Sequence, residues 1–117
     1  MNGFDRLKGQ LVDAVRSRVA GDRHPRLPEA GTLFWNAFCD LCATRTYHAS
    51  GPNPIAYAEI EAWTRVRRRP LEPRHVELIL AMDQAWIDAS ASARKRDGNA
   101  IEPVGGTLTP AFFDAVF

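Results

Sequence analysis

Apolar side chains recur at three- and four-residue steps along most of the 117-residue chain, and prolines stand where those runs stop. That spacing puts the apolar residues of each run on one side of a helix, which must then bury that side against another element. No alternating period of useful strand length appears, and no internal repeat. The predicted class is therefore all-α, a small bundle of about four helices with a short C-terminal helix or tail.

Phe4, Leu7, Leu11, Val15 and Val19 define a first helix over about residues 4–20, and Gly21 with Asp22 offers a stop. Residues 21–28 carry two prolines and several charges and read as a linker. Pro28 suits a first turn and Glu29 the positive end of a helix. Leu33, Phe34, Phe38, Leu41 and Cys42 then predict a second helix over about 29–47. His48 to Pro54 is a loop by composition. Ile60, Trp63 and Val66 mark a third helix over about 56–67, ended by Pro70. Pro73 opens a fourth over about 73–93, striped by Val76, Ile79, Leu80, Asp83, Trp86 and Ile87. Asp83 is the one polar residue in that stripe. Exposure at the stripe's edge is expected for it in preference to a buried salt bridge. Trp35, Trp63 and Trp86, one per helix, are expected to share the core.

Residues 1–93 thus form the helical domain, and 94–117 a flexible tail holding a short Phe-rich helix. Thr109 is placed to cap that helix and Pro110 to open it, ahead of Phe112, Phe113 and Phe117. Two readings of those phenylalanines stay open. They fold back over the helices, or they dock into another protein as a helix in a groove.

Charge excludes some functions. Fifteen Lys and Arg oppose fourteen Asp and Glu, a formal net charge of +1. This argues against a polyanion binder acting through bulk charge, and against wholesale disorder. No run of about 18 apolar residues encodes a membrane span. Met1 to Gln10 lacks the apolar core of a secretory signal, so a cytoplasmic protein is expected.

Sites for chemistry are scarce. Cys39 and Cys42 have C-x-x-C spacing, but a zinc site needs a second ligand pair and a redox pair a βαβ setting, and both are missing. His24, His48 and His75 are scattered, with His75 expected on the surface. No phosphate-cradling glycine order occurs, and Glu59 and Glu61 fall on different helix faces. No catalytic, cofactor-binding or metal-binding residues are assigned, and an enzyme is not expected.

One charge feature is local. Arg65, Arg67, Arg68, Arg69 and Arg74 surround the turn between the third and fourth helices, against Glu72 alone. A helix, a short turn and a helix with basic residues suggest a small helix-turn-helix-like DNA-binding regulator. The candidate recognition helix opens on Glu72, Arg74, His75 and Glu77, without the Asn, Gln, Ser or Lys usual at base edges, which argues against nucleic acid. A solvated turn pairing with Glu59, Glu61 or Glu77, or with a partner's acids, is the plainer reading.

The order of features from Leu27 to Ile87 resembles that of the tail assembly chaperones of long-tailed phages and prophages. Leu27-Pro28-Glu29 comes first, then Leu33-Phe34-Trp35 and Phe38, Ala43-Thr44-Arg45, and Gly51-Pro52-Asn53-Pro54-Ile55. Tyr57, Ile60 and Trp63 follow, then the basic turn, Leu71-Glu72-Pro73 with Val76, and finally Met82-Asp83 with Trp86. The resemblance implies a non-enzymatic, host-cytoplasmic protein without cofactors. Its implied partners are the tape-measure protein and tail-tube subunits. A structural head or tail component of the particle is the alternative within the same setting, and a homo-oligomer is left open. The basic turn (Arg65, Arg67, Arg68, Arg69, Arg74) and the tail phenylalanines (Phe112, Phe113, Phe117) are the expected partner-binding residues. The first helix and the tail lie outside the matched pattern.

Overall fold

A computed structural model describes residues 2–96, so the predicted Phe-rich helix lies outside the described residues. The described chain contains four α-helices: α1 (Gly3–Val19), α2 (Thr32–Ala43), α3 (Tyr57–Arg67) and α4 (Pro73–Arg96). A single 3-10 turn, Glu29–Gly31, leads into α2. The expected all-α class holds, with one addition. Tyr47–His48 (β1) pairs antiparallel with Gly51–Pro52 (β2) in a minimal hairpin inside the predicted loop. Gly51 supplies the positive φ of 143° that follows the turn, a conformation glycine adopts without strain.

Local chemistry sets the helix ends. Asn2 caps α1 by accepting the Asp5 N–H at 2.8 Å. Glu59, in the first turn of α3, reaches back to accept the Ala56 N–H at 2.7 Å. His75 does the same for α4, its Nδ1 accepting the Glu72 N–H at 3.1 Å. Its ring lies 5.0 Å from that of Phe34, so His75 is half-buried rather than the surface residue expected. The α2 helix stops at Ala43, four residues short of the predicted end, because the chain turns there to send Arg45 inward. α4 runs past Ala93 to Arg96.

α4 is the long central helix, packed along α1 and against α2, while α3 packs on α2. Phe4 lies beside Arg74 and His75 at one end, and Arg16, Val19 and Ala20 lie beside Asp88 to Arg96 at the other. The two longest helices therefore run parallel. Both negative helix ends fall together, and Arg16, Arg18, Arg94, Lys95 and Arg96 in the last turns complement them.

Leu11 from α1, Phe38 from α2, and Leu78, Ile79 and Met82 from α4 are fully buried and form the centre of one core. Trp63 and Trp86 are buried in it, and Trp35 is half-buried against it. Gly31 sits where α1 and the entry to α2 come closest. A Cβ there would stand 2.9 Å from Leu11 Cδ2 and 3.1 Å from Pro28 Cγ. Leu11 is fully buried and can give way only against its core neighbours, so Gly31→Ala is expected to destabilise by about 1–3 kcal/mol, as measured by urea denaturation.

Candidate functional site

Two places in the structure draw on the residues singled out by sequence. The first is a buried polar knot. Asp83 is only 2% exposed, and its partner is Arg45, so the expectation of an exposed Asp83 is wrong. The stripe position explains this. Asp83 lies between Ile79 and Trp86, at the middle of the buried face rather than at its edge. One carboxylate oxygen accepts from Arg45 Nη2, and the other accepts the Ile55 N–H at 2.9 Å. Arg45 Nη1 donates to the Asn53 carbonyl at 2.9 Å, and Nη2 also reaches Cys42 Sγ at 3.1 Å. The guanidinium lies over the Trp86 ring, 4.1 Å from its centroid.

Three separate pieces of chain meet at this knot: Arg45, Asn53 with Ile55, and Asp83 with Trp86 on α4. All three belong to the ordered pattern read from the sequence. Arg45 closes Ala43-Thr44-Arg45, Asn53 and Ile55 end the proline loop, and Asp83 follows Met82. The pair ties the hairpin loop to α4 while satisfying backbone groups that the loop would otherwise bury unpaired. Its role is architectural: both charges are covered, and neither is presented to a partner.

The thiols belong to the same surroundings. Burial pushes the Cys42 thiol up to about 12, even though Arg45 beside it favours the thiolate. Burial, assisted by Asp40, pushes Cys39 up to about 11. Both are free thiols. Both therefore stay protonated at neutral pH, which makes them poor nucleophiles for thiol exchange. Among the described residues, no group of three or more His, Cys, Asp or Glu side chains converges to hold a metal ion.

A raised thiol pKa means that the folded protein keeps its proton where the unfolded chain loses it. Stability is therefore full below about pH 9 and falls as the pH rises towards the folded value. For Cys42 the slope is at most about 1.4 kcal/mol per pH unit. Urea midpoints between pH 9 and 11 should fall for the natural chain, and less steeply for Cys42→Ala.

The second place is the basic turn. Arg65, Arg67, Arg68, Arg69 and Arg74 are all exposed. They divide into two groups. Arg67 projects from the α2 side of α3 and meets Asp40 at 3.2 Å, while the same Asp40 oxygen accepts the Trp63 Nε1–H at 2.9 Å. Arg74 pairs with Glu72 at 3.0 Å and lies over the Phe4 ring at 5.5 Å. The predicted pairing with Glu59, Glu61 or Glu77 is therefore replaced by Asp40 and Glu72. Arg65, Arg68 and Arg69 form no side-chain hydrogen bond or ion pair among the described residues. Beside them Val66 is 80% exposed.

The backbone at this turn is unusual. Arg69 N–H bonds the Thr64 carbonyl at 3.0 Å and Arg68 N–H the Arg65 carbonyl at 3.4 Å, the paired closure that ends many helices. The residue between, Arg68, has φ 53° and ψ 43°, a left-handed conformation where glycine is the usual choice. Holding an arginine there costs roughly 1 kcal/mol.

In a helix-turn-helix, the first turns of α4 would have to reach base edges. Arg74 and His75, in its first turns, are engaged with Phe4, Glu72 and Phe34. No helix among the described residues is long and apolar enough to cross a membrane.

The class defined by these observations is a small helical protein with a buried structural ion pair and an unpaired cationic surface. A family model for phage tail assembly chaperones matches residues 14–88, which take in the last turns of α1, all of α2 and α3, and α4 as far as Asp88. The chain belongs to the phage tail assembly chaperone family. No curated protein and no solved structure matches it. The match includes the Arg45–Asp83 knot and the basic turn, and it begins upstream of the Leu27-to-Ile87 pattern.

Proposed function

We propose that this protein is a non-enzymatic chaperone that holds a tape-measure protein while a phage tail assembles, and that Arg65, Arg68 and Arg69 with Val66 form the client contact. Family membership supports the setting. The observation that carries the contact is the unpaired, exposed arginine cluster around an exposed valine. The left-handed Arg68, a conformation that costs free energy at a non-glycine residue, motivates a functional reading of the same turn. Three arginines with no acid of their own attract a client segment carrying Asp or Glu, and Val66 adds an apolar contact beside them. Tail-tube subunits are the second partner class, and the host cytoplasm is the place of action.

The triple variant Arg65→Gln, Arg68→Gln, Arg69→Gln tests the contact. Its folding stability should stay within about 0.5 kcal/mol of the natural chain. Its affinity for the tape-measure protein, measured at low salt, should fall about tenfold or more, mainly through a slower association rate. Unchanged binding at low salt would remove the turn as the contact.

A further inference from the structure

A shallow groove runs between the C-terminal turns of the parallel helices α1 and α4. Val19 and Ala20 form one wall, and Ala89 with Ser92 the other. Arg16 and Arg96 stand at its rims, and Asp88 is its one acid. Arg16 is drawn only weakly to Asp13, 3.6 Å away, with both side chains largely exposed. Arg94 and Lys95 bring further positive charge to this end of the molecule.

Charge is divided unevenly along the chain. All fifteen Lys and Arg lie within residues 1–96, with eleven of the fourteen acids, so this part carries +4. Residues 97–117 hold Asp97, Glu102 and Asp114 and no basic residue, so they carry −3. The same 21 residues include Ile101, Val104, Leu108, Phe112, Phe113 and Phe117. An acidic, aromatic-rich segment therefore begins one residue after Arg96, itself a rim of the basic groove.

We propose that residues 97–117 of this chain dock in cis into the α1–α4 groove, with phenylalanines on its apolar walls and acids against Arg16 and Arg96. The connection favours it: the segment starts beside its site, so closing the intervening loop costs little entropy. Both contributions are in place, apolar side chains for the walls and opposite charge for the rims. The pairing rests on the groove and the charge division, and not on the client's identity.

Amide hydrogen exchange of the full chain tests the pairing. In the natural protein, amides of residues 108–117 should exchange at least about tenfold more slowly than in an unstructured chain. Ala89→Glu fills the groove and adds an acid at its wall. It should return residues 108–117 to the unstructured rate while leaving the core amides of α2 protected. Phe112→Ala with Phe113→Ala should speed exchange at residues 16–20 and 88–93 and nowhere in α2 or α3. Coil-rate exchange of residues 108–117 in the natural chain would overturn the proposal. So would protection that survives Ala89→Glu but is lost in the arginine-to-glutamine variant of the basic turn. Protection that grows with protein concentration, together with a doubled mass in sedimentation, would overturn docking in cis in favour of exchange between two copies.

Discussion

Asp83→Ala should cost about 3–5 kcal/mol of folding stability, enough to leave a protein of this size mostly unfolded at modest temperature. The substitution leaves Arg45 with only 1% of its side chain exposed and no counter-charge. It also strips the Ile55 N–H of its acceptor. Arg45→Ala should be comparably damaging, because Asp83 would then be the buried charge left alone. The informative comparison is the double variant Arg45→Met, Asp83→Leu. Two apolar side chains of similar bulk remove both charges together, so much of the loss should be recovered. The Asn53 carbonyl and the Ile55 N–H would still lack partners, so recovery should be incomplete. Urea denaturation of Arg45→Met, Asp83→Leu and their double variant, read as a double-mutant cycle, measures the coupling. Equal losses that simply add would show that the two groups do not act as a pair.

Phe38→Ala is the second large effect, expected at about 3–5 kcal/mol. Phe38 is fully buried where α2 meets the rest of the core, and Trp35 is its aromatic neighbour at 6.5 Å. Removing the ring leaves a void that Leu11, Leu78 and Met82, themselves fully buried, have little freedom to fill. The contrast is Tyr57→Ala on α3. Tyr57 is 70% exposed, and its removal should change stability by no more than about 0.5 kcal/mol. Denaturant midpoints of the two variants, compared at equal slope, check both statements.

The helices were legible because a three-to-four-residue period needs only local sequence. Phe4 to Val19 and Val76 to Ile87 announce their buried faces, and Pro28, Pro70 and Pro73 mark boundaries through geometry that no tertiary contact can change. The hairpin was not legible, since two residues per strand cannot display an alternation. Asp83 shows a deeper reason for a miss. Its own helix says that a carboxylate sits on an apolar face, but not what answers it. The answer comes from Arg45, 38 positions earlier, on a turn that exists because α2 stops short. The centring of Asp83 between Ile79 and Trp86 was the available signal, and it outweighs the general rarity of buried ion pairs.

The candidate contact divides in the same way. Composition located the basic turn, because five arginines in ten residues are visible without a fold. Which of them are unpaired depends on the rotation of α3 against α2. That rotation turns Arg67 towards Asp40 and leaves Arg65 facing solvent. The left-handed backbone at Arg68 had no sequence signal, since glycine is the residue that normally marks such a position. The resemblance read from the sequence and the family match agree over most of their length. The residues that carry the pattern turn out to build the scaffold around Arg45 and Asp83, while the proposed client contact lies on the turn beside it.

Co-expression of this chain with the tape-measure protein of the same phage, followed by gel filtration, tests whether the chain holds that client in solution. The two should co-elute as a soluble complex, and the tape-measure protein expressed alone should aggregate. A tape-measure protein that is monodisperse by itself and elutes separately from this chain would contradict it.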